Sequence, residues 1–198
     1  MKKLCFALMM LLMGHVAYAQ VENNAAAPDF TLTDSNETSH TLSQYKGKYV
    51  VLEWFNPDCP FVVKHYGSGN MQKLQQMYTE KGVVWLSINS SAPTKEGFHP
   101  PSELNDWAKQ MKSSATAILI DSSGGTGRLY GAKTTPHMFI IDPSGHLIYQ
   151  GAIDSINSPD PSVIPNSENF VKIALDEAMA GKPITTPSTK SYGCSVKY

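Results

Sequence analysis

Val50-Val51-Leu52-Glu53-Trp54-Phe55-Asn56-Pro57-Asp58-Cys59-Pro60-Phe61 is the stretch on which the reading of this chain turns. With Tyr49 in front, its first half is an apolar run rich in β-branched and aromatic side chains, as a strand covered on both faces requires. Asn56-Pro57-Asp58 breaks the strand. Pro60 then suits the first turn of a helix, so Cys59 stands where a buried strand hands over to a helix N-terminus. Free backbone N–H groups and the helix dipole at such a point favour a thiolate. Asp58 acts against this, because a neighbouring carboxylate raises a thiol pKa; Lys64 and His65, one to two turns along, are the cations expected to offset it. Glu53 is the one charge in an otherwise apolar strand. A desolvated carboxyl there has a raised pKa and can take a thiol proton directly or through water.

Working outward, Pro28–Asp34 and Ser39–Leu42 alternate apolar and polar residues about a polar turn, which predicts a small hairpin. Phe61 to Tyr78 reads as helix interrupted at Gly67-Ser68-Gly69, and Val83–Asn89 as the next buried strand. After a polar loop from Ser90 to Pro101, Ser102 is expected to cap a helix running to about Lys112. A short strand at Ala117–Ile120 and a helical piece ending near Tyr130 follow. Asp142-Pro143-Ser144-Gly145 joins strands His137–Asp142 and His146–Gly151 as a hairpin, and Asn166–Ala180 reads as a closing helix. The Thr/Ser/Pro-rich stretch Ile184–Tyr198 is expected to lie over the surface. Helices alternating with strands, finished by an antiparallel hairpin, give one α/β domain with a central sheet and helices on both faces.

The chain has 198 residues, 41% of them hydrophobic and 17% charged, enough to fill one core. Sixteen basic side chains face seventeen acidic ones with no basic stripe, which disfavours nucleic acid as a partner. The N-terminus reads as a targeting segment: Met1-Lys2-Lys3, the apolar run Leu4–Met13, and Ala17-Tyr18-Ala19 predict a signal peptide over 1–19 with cleavage before Gln20. The run is too short to span a bilayer, so no stable membrane insertion is expected after its removal. Cys5 is a poor lipid-attachment site, because only Lys2-Lys3-Leu4 separates it from Met1. Residues 20–198 then form a domain with a C-terminal tail from about 182, in a periplasmic or secreted setting. Of three cysteines, Cys59 and Cys194 remain, and in an oxidising compartment they can pair or stay free.

The stretch at 50–61 resembles the strand–turn–helix active site of the thioredoxin superfamily. It is most similar to the peroxiredoxin-like redoxin branch, with its Asn-x-Cys-Pro-Phe-Val followed by Lys-His. Ala27–Leu32 is similar to the opening of the alkyl hydroperoxide reductase/thiol-specific antioxidant proteins. Lys133–Asp142 resembles the segment carrying the superfamily's cis-proline, Tyr149–Asp154 the strand end after it, and Gly193–Tyr198 the ending of the redoxin branch. The resemblance implies a thioredoxin-like fold, a central mixed sheet flanked by helices with an N-terminal β-hairpin extension. It places Cys59 on the attacking cysteine, Val62 on the second cysteine of Cys-x-x-Cys, and Glu53 on the buried acid. Pro136 falls on the cis-proline, and Thr135 on the residue whose backbone binds an extended substrate peptide. With Val62 in place of a cysteine no local disulfide can close, which leaves Cys194 as the candidate resolving thiol.

A thiol–disulfide oxidoreductase using Cys59, Cys194 and Glu53, with Thr135 and Pro136 binding protein or small-molecule disulfides and thiols, is the first expectation, with no cofactor and no metal. A weak thiol peroxidase is the nearest alternative. Against it, Leu52 and Asn56 occupy the positions where peroxiredoxins carry Pro and Thr/Ser, and the one arginine, Arg128, lies on the preceding helix. A third alternative keeps the fold as a non-catalytic module holding a peptide, or a metal through His137 with His65 or His99. The oligomeric state is not legible in the sequence.

Overall fold

The computed structural model describes residues 21–198; the expected signal peptide lies outside the described residues. A seven-stranded sheet has the order β2-β1-β5-β4-β3-β7-β8. It is built from β1 (Thr31–Asp34), β2 (Ser39–Thr41), β3 (Val50–Trp54), β4 (Val84–Asn89), β5 (Ala117–Ile120), β7 (His137–Ile141) and β8 (Leu147–Gly151). β3, β4 and β5 run parallel, whereas β7 and β8 on one side and the β1–β2 hairpin on the other are antiparallel. The expected mixed α/β sheet with its N-terminal hairpin is present. Two short strands, β6 (Thr134–Thr135) and β9 (Cys194–Ser195), form a separate antiparallel pair.

Period-two alternation in β3 sorts the core onto two faces. Val51 and Phe55 pack with Val62 and Tyr66 of α1 (Pro60–Gly67), Leu74 and Tyr78 of α2 (Asn70–Thr79), Leu104 of α3 (Pro101–Met111) and Leu175 of α5 (Phe170–Met179). Val50, Leu52 and Trp54 face the other way, against Phe30, Leu42 and Tyr130 of α4 (Gly125–Tyr130). Gly69, at φ 73°, divides α1 from α2 as the sequence indicates.

Three boundaries differ from expectation. α3 is capped by Pro100, not Ser102, because Pro101 with its fixed φ already fits the first helical position. Residues 161–166 wind as a tight 3-10 turn, and α5 begins only at Phe170, where the Asn169 side chain accepts a hydrogen bond from Lys172 N at 2.8 Å. The C-terminal tail is not merely laid over the surface: Tyr192 is buried, and β9 pairs with β6.

Trp54 closes the second core. It is fully buried, packs tilted against Tyr130 and edge-to-face with Phe139, and donates Nε1–H to Ser90 Oγ at 3.0 Å. Trp54→Ala is expected to cost about 3–5 kcal/mol, read as a lowered urea midpoint at unchanged slope.

Candidate active site

The antiparallel register of β3 on β7 sets the site. Trp54, the last residue of β3, lies opposite His137, the first of β7. The chain leaving β3 therefore turns beside the chain entering β7, and that entry is the cis Thr135–Pro136 bond. Within the turn, the Asn56 side chain accepts Asp58 N–H at 2.8 Å, and Cys59 N–H donates to Asn56 O at 3.1 Å. Cys59 becomes the N-cap of α1, its carbonyl receiving the amides of Val62 and Val63 at 2.9 Å.

The Cys59 sulfur lies 3.0 Å from Thr135 O, to which the protonated thiol donates. From the other side Cys194, opposite Thr135 in the β6–β9 pair, brings both its thiol and its backbone N–H onto the same sulfur. Cys59 and Cys194 are both free thiols here. Burial by itself raises the Cys59 pKa. The hydrogen bonds of the Cys194 thiol and of the Cys194 and Val62 amides are among the causes that outweigh it and hold the thiol below its ordinary value. Cys194 is driven the opposite way, to about 12, by burial and then by donating to the charged Cys59 sulfur. Cys59 is 0% exposed, and Cys194 of the C-terminal segment lies against its sulfur.

Glu53 is also 0% exposed, and burial raises its pKa. Its carboxylate accepts from Tyr66 Oη (2.9 Å), Gln75 Nε2 (3.2 Å), Trp85 Nε1 (2.7 Å) and Ser87 Oγ (2.9 Å), and makes no hydrogen bond to Cys59. Lys64 and His65 do not serve Cys59 either. Lys64 Nζ is buried against Asp154 Oδ2 at 3.1 Å and Ile156 O at 3.2 Å. Burial holds His65 neutral, its pKa lowered to about 4. The side chain facing Asp58 is His99, whose Nε2 lies 3.0 Å from Asp58 Oδ2 and whose Nδ1 lies 3.0 Å from Glu103 Oε2. Burial alone lowers the His99 pKa, but these two carboxylates raise it on balance. His137 sits next to the cis bond, accepts Lys133 N–H at 3.2 Å and is driven to about 3 by burial. Among the described residues no cluster of three His, Cys, Asp or Glu side chains could hold a metal ion.

Beside this arrangement of strand, turn, Cys59 and cis-proline stands a family match over most of the chain. Residues 24–150 match the AhpC/TSA family. The chain belongs to that family. Among curated relatives of this AhpC/TSA chain, the thiol-disulfide oxidoreductase ResA of Geobacillus thermodenitrificans is 27% identical over 153 residues, covering 73% of this chain and 82% of the relative. Among solved structures, an uncharacterized conserved protein from Geobacillus kaustophilus superposes with a TM-score of 0.79 at 25% identity, covering 95% of this chain and 98% of the other. A hypothetical protein from Sinorhizobium meliloti superposes at 0.75 and 23% identity, over 91% and 96% of the two chains, and shows the shared fold.

Sequence reasoning missed the Lys64–Asp154–Tyr192 cluster and the β6–β9 pairing. The available signals were a lysine within a largely apolar helical stretch and a tyrosine two residues before Cys194, neither of which reports its partner. The Cys59 thiolate should form at lower pH than a free cysteine, whose pKa is about 8.5. Because the Cys194 thiol donates to the charged sulfur, Cys194→Ala should move that midpoint upward, as read from thiolate absorbance against pH.

Proposed function

We propose that this chain is an exported thiol–disulfide oxidoreductase in which Cys59 attacks a partner disulfide and Cys194 resolves the product. The observation that carries the reading is the convergence of the Cys194 thiol and amide on a Cys59 sulfur seated against Thr135. Membership of the AhpC/TSA family and the likeness to ResA support thiol-dependent redox chemistry.

In the reaction, the Cys59 thiolate attacks one sulfur of the partner disulfide. That S–S bond breaks, a mixed disulfide forms, and the other partner sulfur leaves as a thiolate and takes a proton from solvent. Loss of the charge on Cys59 removes two of the causes that hold the Cys194 thiol up, its hydrogen bond to that sulfur and the like-charge repulsion. Cys194 then ionises more readily and attacks the Cys59 sulfur. The partner departs as its second thiol, and a Cys59–Cys194 disulfide remains. The partner has gained two electrons and the protein dithiol has lost them; an external dithiol returns the protein to its starting state.

Thr135 and Pro136 form the wall against which an extended partner segment lies, the Thr135 backbone supplying its hydrogen bonds. Glu53 acts through Tyr66 and Gln75, tying α1 and α2 to β3 and so holding the junction that carries Cys59. Arg128 donates to Ser123 O at 2.7 Å and stacks on Tyr198, and is not placed at the Cys59 sulfur to stabilise a leaving hydroxide. Disulfide exchange is therefore the better fit to this site than peroxide reduction.

Export rests on the n-region, apolar run and Ala17-Tyr18-Ala19 of the N-terminus. N-terminal sequencing of the protein recovered from the cell envelope or medium should begin at Gln20; a chain retained with Met1 would overturn this part.

Cys59→Ser should abolish reduction of a small disulfide. Cys194→Ser should instead accumulate the mixed disulfide, visible by intact mass. Mild oxidation of the unsubstituted protein should remove two hydrogens from its mass and join the two cysteines. Undiminished turnover by Cys59→Ser would sink the reading.

A further inference from the structure

The C-terminal segment follows a path that the reaction above does not by itself require. β6 has no strand neighbour in the sheet except β9 among the described residues, so the backbone edge beside the cis bond is paired to the tail alone. The tail runs antiparallel along it, Cys194 opposite Thr135 and Ser195 opposite Thr134, and Val196 N–H extends the contact to Lys133 O at 3.1 Å. Gly193, at φ 128°, lies so close to the Thr135 carbonyl that a Cβ there would overlap it. Only glycine fits immediately before the cysteine, both for its backbone angle and for this approach.

Each end of the strand is held by a tyrosine. Upstream, Tyr192 is buried against Phe61, with ring centroids 5.7 Å apart, and its hydroxyl donates to Asp154, which also receives Lys64. Downstream, Tyr198 donates to Ala132 O at 2.8 Å, lies 4.5 Å from the Arg128 guanidinium, and fills space that a Cβ on Gly124 or Gly127 would take. Lys197 adds an ion pair to Glu96 at 3.2 Å and receives the Ala92 amide at 2.8 Å, so the Ser90–Pro101 loop is tied to the tail as well. A cysteine-bearing strand added to the Thr134–Thr135 edge, its sulfur on the nucleophile, is the arrangement expected of a bound polypeptide partner.

We propose that Tyr192–Tyr198 is a tethered substrate mimic: it occupies the partner groove, must lift before Cys59 can react, and displays the partner chemistry the groove selects. That chemistry is an extended polypeptide whose cysteine directly follows a glycine. The inference deepens the thiol–disulfide reading and rests on it for the identity of the partner. The tail returns after the partner has bonded to Cys59, and its return delivers Cys194 to the mixed disulfide, so one movement both admits and expels the partner.

The test reads accessibility of the sulfur and not turnover, so its failure is distinguishable from failure of the redox reading. In a Cys194→Ser background, the rate at which a bulky maleimide alkylates Cys59 reports tail opening. Tyr198→Ala and Gly193→Ala, one at each side of the strand, should each raise that rate about tenfold or more, while the thermal midpoint and circular dichroism show the domain folded. A synthetic peptide of residues 191–198 with serine in place of Cys194 should restore slow alkylation to the Tyr198→Ala protein. The same peptide with alanine in place of Gly193 should not. Unchanged alkylation in both folded variants, or equal protection by the two peptides, would overturn the proposal.

Discussion

The pairing of β3 with β7 is the constraint on which the site depends. Because Trp54 lies opposite His137, the strand end that carries Cys59 and the cis Thr135–Pro136 bond arrive together, and the sulfur comes to 3.0 Å from Thr135 O. A slip of one residue in that ladder would reverse every side chain of β3, sending Glu53 to the Trp54 face and Trp54 into the α1–α2 face. The register is therefore enforced by both cores at once. The buried carboxylate of Glu53 adds to this, since it collects donors from α1, α2 and β4. Leaving any one of those buried donors unpaired would cost about 1–3 kcal/mol.

Around that frame two kinds of charge are handled differently. Lys64 and Asp154 are withdrawn from water entirely, at 0% and 1% side-chain exposure. A buried pair of this kind is costly to desolvate and is tolerated only when its remaining hydrogen-bonding groups are satisfied. Here Ile156 O, the Ser167 hydroxyl and the Tyr192 hydroxyl complete it. The pair thus joins α1, the segment after β8 and the C-terminal tail into one knot. Asp58, by contrast, stays half in water, and its hydrogen-bond partner is His99 of the Ser90–Pro101 loop, not a side chain of α1.

Cys59 and Cys194 show why burial and reactivity need not oppose each other. Taking a thiol out of water favours its neutral form. The same enclosure brings the Cys194 thiol and amide onto Cys59, and on balance the Cys59 pKa is lowered. Cys194, as the donor, is held protonated while that charge persists. One contact shifts the two thiols in opposite directions.

Much of this was legible in the one-dimensional pattern. The apolar run at 50–55, the Pro-bounded turn and the glycine break at 67–69 are local signals, and local backbone preference decides them. The singular charge of Glu53 was equally plain in the sequence, whereas Pro136 was located by the resemblance to the redoxin branch. Side-chain partnership could not. Lys64 looked like a cation for Cys59, but α1 turns it toward Asp154, and no spacing rule records what folds against the far side of a helix. The tail read as polar surface because its own composition is polar; its burial comes from what it is laid upon. By itself the sequence determined most of the elements and the α/β class, since these follow from periodicity and turn chemistry, while its resemblance to the redoxin branch supplied the fold family and singled out Cys59. Only the tertiary structure decided that β9 lies along β6 beside Cys59, because that pairing is a contact between segments that nothing in their intervening sequence brings together.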